Sequence, residues 1–274
     1  MTDISVSIVV GVALSVLLAA WAVAHMLVLE QWTNFLYFHA RILKRRTPLG
    51  PMTNSRRHLS ENFKDLTCLS ITPMTLLVHI ASPEVLSGRL DLALRPLDIA
   101  VSVIGIYICF DVIYYCVHRT FHQVPFLYVH IHKRHHEDVP VHLFLTAKAE
   151  YIENILAVSP GISIWVILVL KFFPTLNLWT LLLPVLTLVM EFNTAHTGYL
   201  DHPLLYLMSP LQWLVKALPS ARHVAQEHEE HHLTLKKNFA PIFSFLDRLG
   251  GTHSVPDRKR FATADVMESR IKRT

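Results

Sequence analysis

Residues 99–122 read IAVSVIGIYICFDVIYYCVHRTFH and combine a long apolar run with two histidines. From Ile99 to Val117 the only formal charge is Asp111, and the run has the length of a membrane-spanning helix. His118 and His122 follow at a spacing of four residues, so they share one face of a continuing helix. The stretch therefore predicts a membrane helix whose end presents two imidazoles.

Two more histidine clusters follow, each with the spacing H-x-x-H-H. They are His132, His135 and His136, and His228, His231 and His232. On a helix, each cluster would point one way. Neutral imidazole is a ligand suited to iron, zinc or copper, and eight imidazoles are too many for one ion. The three clusters together predict a two-metal centre.

The composition indicates a membrane protein. Of the 274 residues, 52% are hydrophobic and 17% are charged, which is too apolar for an ordinary soluble fold. From Ile4 to Leu29 there is no formal charge, which predicts an uncleaved membrane anchor. The net charge of +4 does not indicate nucleic-acid binding, because no basic stripe interleaved with aromatic residues stands apart from the hydrophobic segments. The three cysteines lie in apolar stretches without C-x-x-C spacing, so neither disulfides nor a zinc knuckle is indicated.

Three other apolar segments complete the predicted bundle, at about 66–81, 155–170 and 176–194. The first of these is short and contains Pro73, so it either spans the membrane or re-enters it. The loop after the anchor is cytosolic by the positive-inside rule, since it carries Arg41, Lys44, Arg45, Arg46, Arg56, Arg57 and Lys64. Counting crossings from that loop puts every histidine cluster on the cytosolic side. We therefore expect an all-α integral membrane helical bundle with a cytosolic, helical, histidine-rich cap that holds a dinuclear metal site.

Two other classes of function compete with an oxidative metal centre. His228-Glu-Glu-His-His232 also satisfies H-E-x-x-H, the zinc-protease signature in which the glutamate is the general base. That interpretation leaves the other two histidine clusters without a role. A metal transporter is the second alternative, and it would need ligand residues within several spans to form a path.

The motifs resemble those of the fatty acid hydroxylase / sterol desaturase superfamily of membrane di-iron enzymes, among them sterol C4-methyl oxidases and C5 desaturases. Asp111 to His122 is similar to the family's D-x-x-x-Y-x-x-H-R-x-x-H, and His132-Lys-Arg-His-His-Glu137 to H-K-x-H-H-E. Toward the carboxyl end, 228–232 resembles H-x-x-H-H, and 238–252 resembles the family's N-[YF]-G and W-D-R-L-F-G-T motifs with Ala240 and Leu246 in place of Gly and Trp. His196-Thr-Gly-Tyr199 resembles H-[ST]-G-[YF], a stretch that supplies a further ligand.

This resemblance implies a non-haem di-iron centre that uses O2 and two external electrons to hydroxylate an unactivated C–H bond of a lipid, sterol or terpenoid-like substrate. Desaturation by the same centre is the nearest alternative. The implied ligands to two iron ions, which zinc can replace in purified protein, are His118, His122, His132, His135, His136, His196, His228, His231 and His232. The implied electron donor is a separate protein, cytochrome b5 with its NAD(P)H reductase.

The resemblance also shapes the expected domains and location. We expect a membrane anchor region with the basic loop at 1–98, a fatty acid hydroxylase-type catalytic domain at 99–255 and a basic tail at 256–274. The tail's Arg270-Ile-Lys272 loosely matches a retrieval signal of the endoplasmic reticulum, with the active site and C-terminus cytosolic. A basic segment beside anionic lipid is an equally good interpretation of the tail.

One departure from the family pattern concerns a ligand position. Where many members have A-H-P-x-x-E or A-H-P-x-E, this chain reads Ala149-Glu-Tyr-Ile-Glu153, so Glu150 replaces a histidine. We expect Glu150 to ligate a metal or to orient a ligand histidine, with an uninvolved surface acid as the alternative. We expect Asp111 to hydrogen-bond a ligand imidazole, with a local bond to Tyr114 or Tyr115 as the alternative. Other candidates for a supporting or extra ligand role are Glu153, His142, His202 and His223.

Overall fold

Four long helices form the body of the protein. They are α1 at Ile4–Asn34, α2 at Pro96–Gln123, α3 at Tyr151–Phe172 and α4 at Leu178–Ala195. The structure is a computed structural model that describes residues 4–45, 63–64, 67, 75, 91–137, 141–143, 145, 148–173, 177–208, 212–218 and 224–264. All four helices are long and apolar enough to cross a membrane, which confirms the predicted all-α bundle.

Several short helices lie between and after the long helices. The segment 125–136 passes from one α turn at Pro125–Leu127 through a π turn at Tyr128–His132 to a 3-10 turn at Lys133–His136. Later come a 3-10 helix at Pro203–Met208, α5 at Gln212–Lys216, α6 at Val224–Thr234, α7 at Phe245–Leu249 and a 3-10 turn at Arg258–Arg260. Within the described ranges there is no β-strand, only isolated bridges.

Local sequence explains where the spans begin. α2 starts at Pro96, whose fixed backbone angle suits the first turn, and Asp98 lies at the positive end of the helix dipole. α4 is capped by Asn177, whose side chain accepts hydrogen bonds from the backbone N–H groups of Trp179 and Thr180 at 2.9 and 3.3 Å. Both signals sit at the apolar segments predicted from composition.

The core lies where α2 packs against α3 and α4. Val103, Ile106 and Phe110 of α2 are buried against Trp165 of α3 and Leu188 of α4. The outer faces of the same helices carry exposed large apolar side chains, including Val101, Ile108, Val112, Ile164 and Ile167. An apolar outer face of this extent suits a hydrocarbon solvent.

The clustered histidines and their hydrogen-bond partners lie at one end of the bundle. The C-terminal ends of α1, α2 and α4 and the N-terminal end of α3 lie there, because Arg45 contacts Thr197 and Glu153 contacts His132. At the other end, the backbone N–H of Leu178 donates to the carbonyl of Asp91 at 3.0 Å. Arg45 and Asp91, which bound the interval 45–91, therefore lie at opposite ends of the bundle. The predicted apolar segment 66–81 falls in this interval and lies outside the described residues except for Thr67 and Thr75.

Candidate metal centre

Nine histidines from four parts of the chain meet at this end of the bundle. α2 contributes His118 and His122, the segment 125–136 contributes three, α6 contributes three, and His196 immediately follows α4. Potential ligand atoms fall into two groups, and within each group these atoms lie within 4.8 Å of one another. The first group is His118, His122, His132, His136 and His231, and the second is His135, His196, His228 and His232. The predicted dinuclear arrangement of imidazoles is thus present.

Each H-x-x-H-H cluster divides between the two groups. His132 and His136 belong to the first group and His135 to the second, whereas His228 and His232 belong to the second group and His231 to the first. The expectation that each cluster points one way is therefore wrong. Residues four apart share a helical face, but adjacent residues differ by about 100° around the axis. The two adjacent histidines of each cluster therefore belong to different groups.

The spacing of the ring nitrogens fits a bound cation. Nε2 of His132 lies 3.0 Å from that of His118 and 2.9 Å from that of His136. In the second group, Nε2 of His228 lies 2.9 Å from that of His196 and 3.0 Å from that of His232. Two nitrogens each about 2.1 Å from one metal ion and at right angles would be about 3.0 Å apart. The residues therefore fit a metal ion in each group.

The other ring nitrogen of several histidines has a defined acceptor. His118 Nδ1–H donates to the carbonyl of Phe239 and His231 Nδ1–H to that of Lys237, both at 2.8 Å. His196 Nδ1–H donates to the Phe192 carbonyl at 2.7 Å. A donor at Nδ1 leaves Nε2 as a lone-pair ligand, so these carbonyls fix the metal-binding tautomer.

Burial lowers the pKa of five clustered histidines outside the spans, so these imidazoles are neutral near pH 7. Loss of solvent, followed by the charge of neighbouring groups, lowers the pKa of His196 to about 3. Burial likewise lowers the pKa of His135 to about 4. The pKa values of His132, His231 and His232 are lowered well below 6.5, first by burial and then by the surrounding imidazoles. Neutral imidazole is the form that binds metal, so the site is prepared for cations.

Glu153 hydrogen-bonds a histidine of the first group. Its Oε1 accepts a hydrogen bond from His132 Nδ1 at 2.9 Å, and its side chain is buried. Glu150, at the position where the family pattern has histidine, is instead 42% exposed in its side chain and lies 3.7 Å from Arg134. It is in neither histidine group, so the structure does not support the expected contact of Glu150 with the metals. Glu153 therefore faces the histidines, whereas Glu150, three residues earlier, is partly exposed to solvent.

Asp111 supports the centre through backbone groups. Its Oδ1 accepts hydrogen bonds from the backbone N–H groups of Ile242 and Phe243 at 2.7 and 3.0 Å. Our expectation was a bond to a ligand imidazole. The bonds found here instead hold the segment whose Phe239 carbonyl binds His118.

Asp247 and Asn238 fix the same segment. The Asp247 carboxylate accepts from the backbone N–H groups of Phe239 and Ala240, each at 2.9 Å, and from the Thr252 hydroxyl at 2.7 Å. Asn238 has a φ of 57°, a left-handed conformation that asparagine tolerates better than most residues. These contacts give a physical reason for the carboxyl-terminal motif.

Of the remaining candidates, the described residues His142 and His202 belong to neither group. His202 accepts a hydrogen bond from the backbone N–H of Leu204 at 3.2 Å and so begins the 3-10 helix at Pro203–Met208. His142 contributes to the lowered pKa of His196 but belongs to neither group. His223 lies outside the described residues.

Arg45 is a site residue that the sequence did not reveal. The positive-inside rule predicts that Arg45 belongs to the cytosolic basic loop, yet the residue is only 2% exposed. Its guanidinium donates to the carbonyls of Thr197 and Val141 at 2.9 and 3.0 Å. At Gly198, where φ is +68°, a Cβ would lie 2.8 Å from Arg45 Nη2. The buried Arg45 guanidinium therefore holds the loop after His196, and it fits there because residue 198 is glycine and has no side chain.

An apolar cavity leads from the histidines into the bundle. Its histidine end is lined by His118 of the first group and by His135, His196 and His228 of the second. Its walls come from all four long helices, and they include Leu18, Ala22, Val158, Ile162, Val185 and Leu188. Glu229, the general base of the protease interpretation, is 1% exposed and is not part of this lining. The arrangement suits a hydrophobic ligand better than a peptide.

Comparison with known proteins identifies the class. The fatty acid hydroxylase family matches residues 103–252, which is more than half of the chain. The chain therefore belongs to the fatty acid hydroxylase family, as its motifs predicted.

Curated relatives include sterol enzymes. The chain is 28% identical to cholesterol 25-hydroxylase of Mus musculus over 68% of its own length and 60% of the relative's. It is 30% identical to methylsterol monooxygenase 1 of Rattus norvegicus over 54% of its own length and 45% of the relative's. The chain thus spans less than two thirds of the length of these relatives. No solved structure matches it significantly.

Proposed function

We propose that this chain is a membrane-bound di-iron oxygenase that hydroxylates an unactivated C–H bond of a lipid, sterol or terpenoid-like substrate. The observation that carries the proposal is the apolar cavity that ends at histidines of both metal groups. Because its walls are helices apolar enough to cross a membrane, a hydrophobic molecule can reach the metals from the bilayer. The names of the relatives, sterol hydroxylase and monooxygenase, support this class of substrate.

The ligand set favours iron. Imidazole suits iron, zinc and copper, while structural zinc sites usually close with four ligands and often include cysteine. When bound, two iron ions would supply the activation of dioxygen. In the net reaction a C–H bond breaks and a C–O bond forms with one atom of O2. The other oxygen atom leaves as water, with two electrons and two protons supplied from outside.

The chain's own residues hold the reactants in place. The carbonyls of Phe239, Lys237 and Phe192 and the Glu153 carboxylate keep four imidazoles in the ligating tautomer. The apolar cavity wall excludes water from the substrate C–H bond, which protects a reactive oxidant from side reactions. Positioning and electrostatic tuning, rather than acid–base catalysis by side chains, are the protein's contribution.

The electrons require a second protein. We propose cytochrome b5 with its NAD(P)H reductase as the donor, and the endoplasmic reticulum membrane as the location, with the metal centre and C-terminus facing the cytosol. These assignments follow from the family resemblance and from the basic loop after the anchor. A metal centre at one end of the bundle suits a donor on that side of the membrane.

Desaturation is the second candidate because the same centre and the same cavity would serve it. It differs in that the substrate loses two hydrogen atoms and gains no oxygen. A metal transporter is less well supported, because among the described residues the two histidine groups at one end of the bundle are the only groups of potential ligands.

A comparison of cellular lipids tests the proposal. Cells expressing the intact chain, His135→Ala or the control His130→Ala are grown under oxygen-18, and their lipids are analysed by mass spectrometry. His130 is exposed on the same segment and belongs to neither histidine group. We expect a labelled species with the intact chain and His130→Ala only. Loss of two hydrogens without label would establish the desaturase, and no lipid difference would contradict both.

A further inference from the structure

The apolar cavity has two unlike ends. Away from the histidines its lining is aliphatic, with residues such as Leu18, Ala19, Val185, Leu188 and Val189. Near the histidines the lining also includes the polar side chains of Tyr114, Glu153, Asn154 and Glu191. The distribution is that of a site for a molecule with one polar group and a long hydrocarbon body.

Tyr114 and Asn154 sit beside the first histidine group. The Tyr114 ring centroid is 5.0 Å from that of His118, one helical turn away on α2. Asn154 directly follows Glu153, whose carboxylate binds His132. Asn154 also begins the π turn Asn154–Val158, an irregularity that is frequent at functional sites. Both side chains therefore border the space next to the metals.

The other two polar lining groups already have protein partners. Glu153 accepts the hydrogen bond from His132, and Glu191 lies 3.5 Å from the Lys216 ammonium group. By contrast, Tyr114 is 7% and Asn154 4% exposed, and neither side chain makes a hydrogen bond within the part of the chain that the structure describes. A buried polar group without a hydrogen bond is costly. These two groups are thus placed to bind a polar group inside the cavity.

The depth of the cavity sets where a bound hydrocarbon would lie. Along α3, Val158 and Ile162 line the cavity four and eight residues beyond Asn154, away from the histidines. At about 1.5 Å per helical residue, Ile162 lies about 12 Å deeper than Asn154. A ligand whose polar group is held at Asn154 therefore has its far end well away from the metals.

We propose that Tyr114 and Asn154 bind the hydroxyl group of an otherwise apolar lipid, and that the carbon atoms beside this hydroxyl are the ones oxidised. The phenol can donate to the substrate oxygen, and the carboxamide oxygen can accept from the substrate hydroxyl. Both residues act as specificity-determining residues. The proposal rests on the proposed function, because it assigns the position of the same oxidation.

The first test measures binding without turnover. The full chain with its metals is kept free of oxygen and titrated with cholesterol and with 5-cholestene, which has the same ring system without the hydroxyl. Variants are Tyr114→Phe and Asn154→Leu, each close in shape to the native side chain. The matched control is Tyr151→Phe, because Tyr151 is 44% exposed and does not line the cavity. Metal content is measured for each variant to show that the site is intact.

We expect the intact chain and the control to bind cholesterol about tenfold more tightly than 5-cholestene, as one or two buried hydrogen bonds would give. Each cavity variant should reduce this preference several-fold while its affinity for 5-cholestene stays the same. Equal binding of the two sterols by the intact chain would overturn the proposal. So would a preference that survives in both variants.

The second test locates the product oxygen. With an electron donor and O2, a 4-methylsterol is converted and the product is fragmented by mass spectrometry. Oxygen on a carbon at or next to the ring position beside the hydroxyl is expected, and oxygen at the side-chain end would overturn the proposal. A hydroxyl preference in binding together with no turnover would uphold the binding site and count against the proposed oxygenase. Turnover without any hydroxyl preference would uphold the oxygenase alone.

Discussion

Removing the Glu153 carboxylate should lower the metal affinity of the five-histidine group and leave that of the four-histidine group unchanged. Glu153 accepts a hydrogen bond from His132 at 2.9 Å, and His132 Nε2 lies within 3.0 Å of the Nε2 atoms of His118 and His136. A buried hydrogen bond to a charged group contributes about 1.5–3 kcal/mol. Loss of such an outer partner typically costs about 10- to 100-fold in metal affinity. We expect Glu153→Ala to lower the affinity of the five-histidine group by that factor.

The variant Glu153→Gln refines the prediction. Its amide oxygen can still accept from His132, but an amide turned the other way would donate to Nδ1 and place the proton on Nε2, which blocks ligation. We therefore expect an effect smaller than that of Glu153→Ala. Glu150→Gln is the matched control, because Glu150 is half-exposed and lies outside both groups.

The assay is a competition titration of the purified full chain against a chelator, with metal per chain measured by mass spectrometry. We expect Glu150→Gln to hold both metals like the intact chain, and Glu153→Ala to hold one metal at normal affinity and the other weakly. A variant Glu153→Ala that retains both metals at the original affinity would refute the role given to this carboxylate. Retention of the second metal also distinguishes a local effect from misfolding.

Supporting contacts and buried histidines also affect the stability of the fold and its retention of metal. Asp247→Asn removes a carboxylate that binds two buried backbone N–H groups, so we expect the free energy of unfolding to fall by about 2–3 kcal/mol in chemical denaturation. Arg45→Met removes both hydrogen bonds that anchor the loop after His196, and metal analysis should show loss chiefly from the four-histidine group. In the folded, metal-free protein, the pKa of His135 is lowered to about 4 and that of His196 to about 3. As the pH falls below 6.5, these histidines therefore take up protons in the unfolded chain before they do so in the folded protein. These two histidines should leave the free energy of unfolding unchanged above pH 6.5 and lower it progressively toward pH 4, by about 1.4 kcal/mol per pH unit for each histidine. Thermal unfolding measures this change, and a midpoint that is the same at pH 7 and pH 5 would contradict it.

Much of the fold was predictable because hydrophobic length and histidine spacing are local properties. The apolar runs at 4–29, 99–117, 155–170 and 176–194 correspond to the four long helices, and the three clusters meet as expected. The division of each cluster between two groups depends on the angle between adjacent side chains. The segment 125–136 also mixes π and 3-10 turns, which no hydrophobic period signals.

Long-range contacts account for what the sequence could not predict. Arg45 reads as a juxtamembrane charge, yet it binds carbonyls 96 and 152 residues later in the chain. The acceptors of His118 and His231 are backbone carbonyls, which any residue can supply. Glu150 and Glu153 are the same residue type in the sequence, and only the geometry at the start of α3 determines which one faces His132.

Counting bound metal ions shows whether the nine histidines hold two of them, one in each group. The full chain, expressed with added iron and purified without chelators, is analysed for metal per chain, together with His231→Ala from the first group and His135→Ala from the second. We predict two iron ions per chain in the intact protein and about one in each variant. A single zinc ion per chain, unaffected by His231→Ala, would show that the two histidine groups do not hold two iron ions.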